Sequence, residues 1–158
     1  MSSLRLALSG AAIGWTAAVP TNVRFADTNV LLYAVSKHPA EERKATIAAA
    51  ILGGGDVAIS VQVLQEFYVQ ATRLSRPDPL TSEQATRLAE SFLRFRVVET
   101  TTDLALAAMA TQRRFHLSYW DAAIIEAARM SGCAAVLSED LADGQSYGGV
   151  TVEDPFKS

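Results

Sequence analysis

Short apolar runs alternate along this chain with segments of helical period. The run from Val23 to Ala26 ends at an acid, Asp27, and Thr28 and Asn29 then open VLLYAV, which reads as a helix to about Ser36. Pro39 stands where a first helical turn tolerates proline, and the helix it opens runs to about Leu52, stopped by Gly53, Gly54 and Gly55. Val57 to Ile59 form a second strand. After Ser60, the segment VQVLQEFYVQATRL places Leu64, Phe67, Tyr68, Ala71 and Leu74 on one helical face, with Glu66 on the opposite side beside Gln62 and Arg73. Arg76-Pro77-Asp78-Pro79 is a rigid turn. Thr81 and Gln84 form a capping box for a helix to about Phe95, and Val97 and Val98 make a third strand. Two helices follow, Asp103 to Phe115 and Ser118 to Met130, the second with Ser118 and Asp121 at capping-box spacing. Ala134 to Leu137 is a fourth strand, followed by Ser138, Glu139 and Asp140; Asp143-Gly144 marks a turn, and Val150 to Val152 a short fifth strand.

Strands alternating with helices across short connections predict an α/β domain, a parallel sheet with helices on both faces. Residues 1–22 stand apart. Arg5 followed by LALSGAAIGWTAAV imitates a signal peptide, but its apolar part, about 14 residues, is too short to span a bilayer. We expect residues 1–22 to be a non-essential N-terminal extension, or the product of a start codon placed too early, and residues 23–158 to be one folded domain of a cytoplasmic protein with no membrane contact.

Charge narrows the chemistry. A net charge of −3 means that a polyanionic partner would have to be met through local arginines or bridging cations. Cys133 is the only cysteine and sits in the apolar run GCAAVL, so it reads as a small buried hydrophobe. With His38 and His116 the only histidines, a Cys/His zinc site has too few ligands.

The acids carry more. Asp27 directly follows the first strand, Asp140 follows the fourth after two residues, and Glu66 lies within two helical turns of the end of the second. In a parallel sheet all three approach the same carboxyl edge, where α/β proteins bind ligands. Asp121, in the first turn of its helix, joins them only if the path of the chain returns that turn to this edge. Taken singly, Asp27 and Asp121 read equally well as helix-capping acids, Glu66 as part of a solvated face and Asp140 as a polar loop residue. Two carboxylates about 4 Å apart repel by about 1 kcal/mol in water and about 4 kcal/mol when partly buried, so four together call for cations. Hard oxygen ligands without His or Cys point to Mg²⁺ or Mn²⁺, and such a site suits metal-assisted hydrolysis of a phosphodiester.

FADTNVLLYA with Asp27, ISVQVLQEF with Glu66, LSYWDAAI with Asp121 and LSEDLADGQ with Asp140 together resemble the PIN-domain ribonucleases, most closely the VapC-like toxins of bacterial type II toxin-antitoxin modules. The likeness covers about Arg24 to Pro155. It implies a three-layer α/β/α fold with a central parallel sheet of strand order 3-2-1-4-5, and a Mg²⁺-dependent endoribonuclease. It also implies a cognate antitoxin as partner and a homodimer. By that likeness Asp27 and Asp121 are the principal metal ligands, and Glu66 and Asp140 complete the pocket directly or through water. Thr28 or Ser138 would steady a carboxylate or a water beside the ion. Arg73, Arg76, Arg113 and Arg114 are candidates for phosphate contact, against the plainer reading of solvated surface charges. Glu139 and Asp143 compete with Asp140 for the fourth position, and Asp103, two strand spacings from the first strand, is left out as a helix-starting acid. The long N-terminal segment departs from the family pattern.

Other readings fare worse. A phosphatase of the haloacid dehalogenase type would need its second Asp where Asn29 stands. A phosphoacceptor receiver domain would need a lysine in the stretch between Lys44 and Lys157, which has none. No Gly-x-Ser-x-Gly run supports a Ser/His/Asp hydrolase. The alternative that survives is a catalytically idle PIN fold that binds a protein partner.

Overall fold

A computed structural model describes residues 22–157. The expectation for the N-terminal extension falls on residues that, but for Asn22, lie outside this range. Six strands form one sheet: β1 (Arg24–Ala26), β2 (Val57–Ser60), β3 (Arg96–Val98), β4 (Ala135–Leu137), β5 (Ser146–Tyr147) and β6 (Val150–Glu153), in the order β3-β2-β1-β4-β6-β5. All pairings are parallel except β5 with β6. The predicted order 3-2-1-4-5 is therefore present, with β6 as the predicted fifth strand. The added edge strand β5 turns back into β6 through Gly148 and Gly149, both at positive φ (60° and 92°), the backbone a two-residue hairpin requires.

The helices are α1 (Thr28–Val35), α2 (Glu42–Gly53), α3 (Val61–Ala71), α4 (Ser82–Ser91), α5 (Thr102–Phe115) and α6 (Tyr119–Met130). Winding runs outward from β1 through β2 to β3, then crosses back to β4 on the far side of β1. Right-handed crossovers accordingly put α1 to α4 on one face and α5 and α6 on the other, giving three layers. α6 packs on β2, β4 and β6, and α1 packs against α2 and α3. Between the layers, Phe25, Ile59, Val136 and Val152 are fully buried from adjacent strands and meet Val30, Leu31, Val63, Phe67 and Ile125 from the helices. Truncating a ring such as Phe25 to alanine would cost about 3–5 kcal/mol.

Helix starts follow the caps read from the sequence. Thr81 and Gln84 make both halves of a capping box and Ser118 accepts from Asp121 N; Ser60, not read as a cap, also serves as one by accepting from Val63 N. Pro39 opens a 3-10 turn (Pro39–Glu41) before α2, capped by the His38 ring. The helix expected to reach Phe95 ends at Ser91 in a further 3-10 turn, which swings Phe92 edge-on to Phe67 at 5.1 Å.

The expected face of α3 is corrected. Its buried stripe is Val63, Phe67 and Ala71; Tyr68 is 38% exposed, and Leu74 lies beyond the helix end at 89% exposure. Gln62 and Glu66 do not face solvent. α3 leaves the sheet at its carboxyl edge, so the polar side of its first turns points across that edge, where Gln62 donates to the Trp120 carbonyl (3.2 Å) and Glu66 accepts from Thr28.

Candidate active site

The winding reverses between β1 and β4, and their carboxyl ends are tied by a hydrogen bond from Asp27 N to the Leu137 carbonyl (3.0 Å). A crevice opens at such a switch point. Asp27 caps α1, its Oδ1 accepting from Thr28 N (2.8 Å), and its Oδ2 accepts from the Ser138 hydroxyl (2.8 Å). Asp27 is thus the cap of α1 and at the same time lines the crevice. Ser138 Oγ in turn accepts from Asn29 Nδ2 (3.2 Å) and Asp140 N (3.1 Å), and Asn29 Nδ2 also lies 3.2 Å from Asp140 Oδ2. Across the crevice, Glu66 accepts from the Thr28 hydroxyl (2.8 Å) on Oε2 and from Gln62 Nε2 (2.7 Å) on Oε1. Asp121 enters from the third helical position of α6, its backbone held by Ser118. Its carboxylate takes no hydrogen bond or ion pair among the described residues.

All four predicted acids, Asp27, Glu66, Asp121 and Asp140, line one cavity of about 90 Å³ together with Thr28, Asn29, Gln62 and Trp120. No Lys, Arg or His side chain lines it. Burial, above all, raises the Asp27 carboxyl from its ordinary 3.8 to about 6; the charges of Glu66 and Asp140 add to the rise, and the Ser138 and Thr28 hydrogen bonds oppose it. A larger cavity, about 640 Å³, lies over β1, β4 and β6 beside the end of α2. There the Asp56 carboxylate accepts from Asn22 (3.1 Å) and Glu153 lies 3.8 Å from Arg24, so its acids are answered within the protein. Chemistry, more than size, favours the smaller cavity.

The donor set fits a hard divalent cation: four carboxylates, a hydroxyl and amide oxygens, with a buried acid held against its own charge. As the side chains stand, no three of the described Asp, Glu, His or Cys residues converge closely enough to ligate one ion. Both oxygens of Asp27 and of Glu66 are engaged by protein donors, so gathering the set around an ion takes rotation of the two freer acids, Asp121 and Asp140.

The rivals for the fourth position, Glu139 and Asp143, do not line this cavity. Glu139 accepts from Lys44 Nζ (2.7 Å) and from the Tyr33 hydroxyl, and these contacts raise the Lys44 ammonium well above its usual range. Asp143 accepts from Asp154 N (2.9 Å) and Lys157 Nζ (3.2 Å), which hold its carboxyl below the ordinary range. Of the four predicted arginines, only Arg76 borders the region, in a second cavity of about 220 Å³ that shares Asn29, Leu32, Gln70 and Asp140 with the first. Arg73, Arg113 and Arg114 line neither cavity; Arg114 stacks on the Phe115 ring at 4.7 Å. The single reading that covered all four arginines does not distinguish surface charge from cleft charge, and the structure does.

Sequence reasoning passed over Asn29, Gln62, Gln70 and Trp120. Asn29 left a signal: a polar side chain in the first turn of an otherwise apolar helix is buried only for a reason, and here it bonds Ser138, Asp140 and Glu139 N. Gln62 left another, four residues before Glu66 on one face of α3.

No protein with a curated description matches the sequence. Among solved structures, a chain of a toxin-antitoxin complex from Klebsiella pneumoniae is similar at 20% identity and TM-score 0.61, over 84% of this chain and 97% of that one. VapC20 of Mycobacterium tuberculosis, described as a sarcin-ricin loop cleaving toxin, is similar at 21% identity and TM-score 0.57, over 71% and 85%. FitAcB from Neisseria gonorrhoeae is similar at 18% identity and TM-score 0.58, over 84% and 97%. These likenesses bear on the fold. The family model for the PIN domain matches residues 24–142, three quarters of the chain, from β1 through the loop that carries Asp140, and the chain therefore belongs to the PIN domain family.

Proposed function

We propose that this protein is a divalent-metal-dependent endoribonuclease that hydrolyses RNA phosphodiester bonds, and that it is the toxin of a toxin-antitoxin pair. The observation that carries the reading is four carboxylates in one cavity with no protein cation to answer them. Asp27 and Asp121 would hold Mg²⁺, or Mn²⁺ in its place, and Glu66 and Asp140 would complete the set directly or through water. A divalent ion held there supplies positive charge to the phosphodiester and to the water that attacks it, the role that lets an acidic protein act on a polyanion.

The rest falls to this chain's own residues. Ser138 and the Thr28 amide fix the orientation of Asp27, and the Thr28 hydroxyl with Gln62 fixes Glu66, so these two acids are preorganised. Asp121 and Asp140, less constrained, adapt to what binds. Water attacks phosphorus and the ribose oxygen departs with a proton. Asp27 must be ionised to hold the ion, so proton and metal compete for it, and the metal concentration needed for activity should rise as pH falls.

The toxin-antitoxin complex among the similar structures supports a cognate antitoxin as partner; a homodimer as the working unit and a cytoplasmic place of action complete the proposal and rest on the family resemblance alone. No helix among the described residues is long and apolar enough to cross a membrane. The test is to express the protein, sequence the new RNA 5′ ends it generates, and compare with an Asp121→Asn control. Discrete cuts that need the wild-type acid, reproduced by purified protein with Mg²⁺ or Mn²⁺, are expected. Absence of cuts, or cuts unchanged in the variant, would leave the idle protein-binding fold as the better reading.

A further inference from the structure

The cavity beside the acid pocket has a character of its own. It is the larger of the two, about 220 Å³ against about 90 Å³, and Asn29, Leu32, Gln70 and Asp140 line both, so the two form one continuous cleft. The far end carries Arg76. The residue is half-buried, yet its guanidinium makes no hydrogen bond, ion pair or ring contact with any described residue. Of the acids beside it, Glu139 is answered by Lys44 at 2.7 Å, which also bonds the Tyr33 hydroxyl at 3.2 Å, and Glu41 accepts from the Ser36 hydroxyl at 2.6 Å. Arg76 is thus the one cation that lines this cavity, and no described carboxylate engages it.

Its position is also fixed. Arg76 begins a turn with two prolines, Pro77 and Pro79, whose rings restrict the backbone. Arg76 N donates to the Arg73 carbonyl (3.1 Å), Leu80 N donates to the Ala71 carbonyl (2.9 Å), and Asp78 accepts from Lys37 N at the end of α1 (3.4 Å). The turn is therefore closed on itself at Arg73, tied to the last residue of α3 through Leu80, and tied to the segment just after α1 through Asp78. A planar five-donor cation on such a support is suited to a phosphate, which it can grip with two parallel hydrogen bonds.

Resting on the nuclease reading, we infer that the Arg76 end of the cleft is the subsite for the backbone phosphate next to the one at the four acids. A single strand laid along the cleft meets opposite charge at both ends: cations bound by the acids at one, Arg76 at the other, with Gln70 and Asn29 between as hydrogen-bonding groups. This contact reads no base, so Arg76 sets affinity and register rather than sequence preference.

The test uses the full chain with Ca²⁺ as a binding ion and a fluorescein-labelled, random-sequence 20-nucleotide RNA pool, read by fluorescence anisotropy across a range of NaCl. Arg76→Ala should weaken binding about tenfold, and the slope of log affinity against log salt should become shallower by about 0.7, one phosphate contact on a single strand. Arg76→Lys should fall between, since it keeps the charge and loses the fork. Arg76→Glu should bind more weakly than Arg76→Ala. Thermal unfolding midpoints of all three should match wild type, because the guanidinium bonds nothing in the protein. Wild-type RNA cleavage and binding together with unchanged affinity and salt slope in the Arg76 variants would overturn the subsite alone. Failure of the wild type itself to bind or cut RNA would overturn the nuclease reading and the subsite with it.

Discussion

Two buried carboxylates in this protein are treated in opposite ways. Glu126, on α6, is 6% exposed and Asp27, at the switch point, 7%. Glu126 is answered completely: Arg129 reaches both its oxygens at 3.1–3.2 Å, Thr111 donates to it at 3.0 Å, and the same Arg129 guanidinium goes on to the carbonyls of Tyr147 and Gly148. That cluster ties α5, α6 and the β5–β6 hairpin together and leaves nothing open. Asp27 has a hydroxyl and one backbone amide, no cation, and two further acids close enough to raise its carboxyl. Burial costs a lone charge several kcal/mol, so the contrast between an acid answered fully and one left beside like charge supports the proposal that the second is kept for a ligand. Burial alone does not mark a functional acid; burial without a counterion does.

The largest expected effect tests which acid carries chemistry. Asp27→Asn and Asp121→Asn should each reduce RNA cleavage by about 10³-fold or more, whereas Glu126→Gln should leave the rate per folded molecule unchanged, measured as initial rates on an RNA the wild type cuts. Stability should show the reverse order. Arg129→Ala strands Glu126 and should destabilise the protein by about 3 kcal/mol in urea unfolding; a Glu126→Gln/Arg129→Met double variant should recover part of that loss, because it removes the uncompensated charge.

A subtler contrast appears with pH. Between its ordinary 3.8 and about 6, Asp27 keeps a proton in the folded protein that the unfolded chain releases. Stability without divalent ions should therefore fall as pH rises through that window, by about 3 kcal/mol from this group alone. Subtracting the pH profile of Asp27→Asn from that of wild type isolates it; a difference flat from pH 4 to 6.5 would contradict the assignment. Smallest is the comparison within the loop after β4. Asp140→Asn should slow cleavage about tenfold, while Glu139→Gln, which loosens Lys44 and Tyr33, should change the rate by less than about threefold. Equal effects would mean that the fourth acid is misassigned.

Most of the architecture was legible because most strands are short apolar runs and several helices begin at a cap or a proline that the sequence displays. β5 was not: a two-residue strand has no periodicity, and only Gly148-Gly149 hints at its hairpin. The convergence of Asp27, Glu66 and Asp140 followed from sheet topology, since each comes just after a parallel strand. Asp121 did not, because its helix belongs to the other face and its approach depends on where α5 and α6 cross, which no local pattern encodes. The face of α3 was misread for a related reason. Helical period counted Tyr68 and Leu74 on the buried side, whereas the buried stripe is Val63, Phe67 and Ala71 and the helix ends before Leu74, and no local pattern shows where a helix stops packing. Composition likewise could not separate Arg76 from Arg73, Arg113 and Arg114; only the pinned turn does.

Thermal unfolding with and without Mn²⁺ at pH 7.5 bears most directly on the claim that these acids are kept for a cation. At a free concentration about 100 times the dissociation constant, the ion should stabilise the wild type by about 2.7 kcal/mol, a rise of roughly 5–10 °C in Tm for a domain of this size, and Asp27→Asn and Asp121→Asn should lose most of it. A wild-type midpoint that Mn²⁺ does not move, or an equal rise in both variants, would contradict the account.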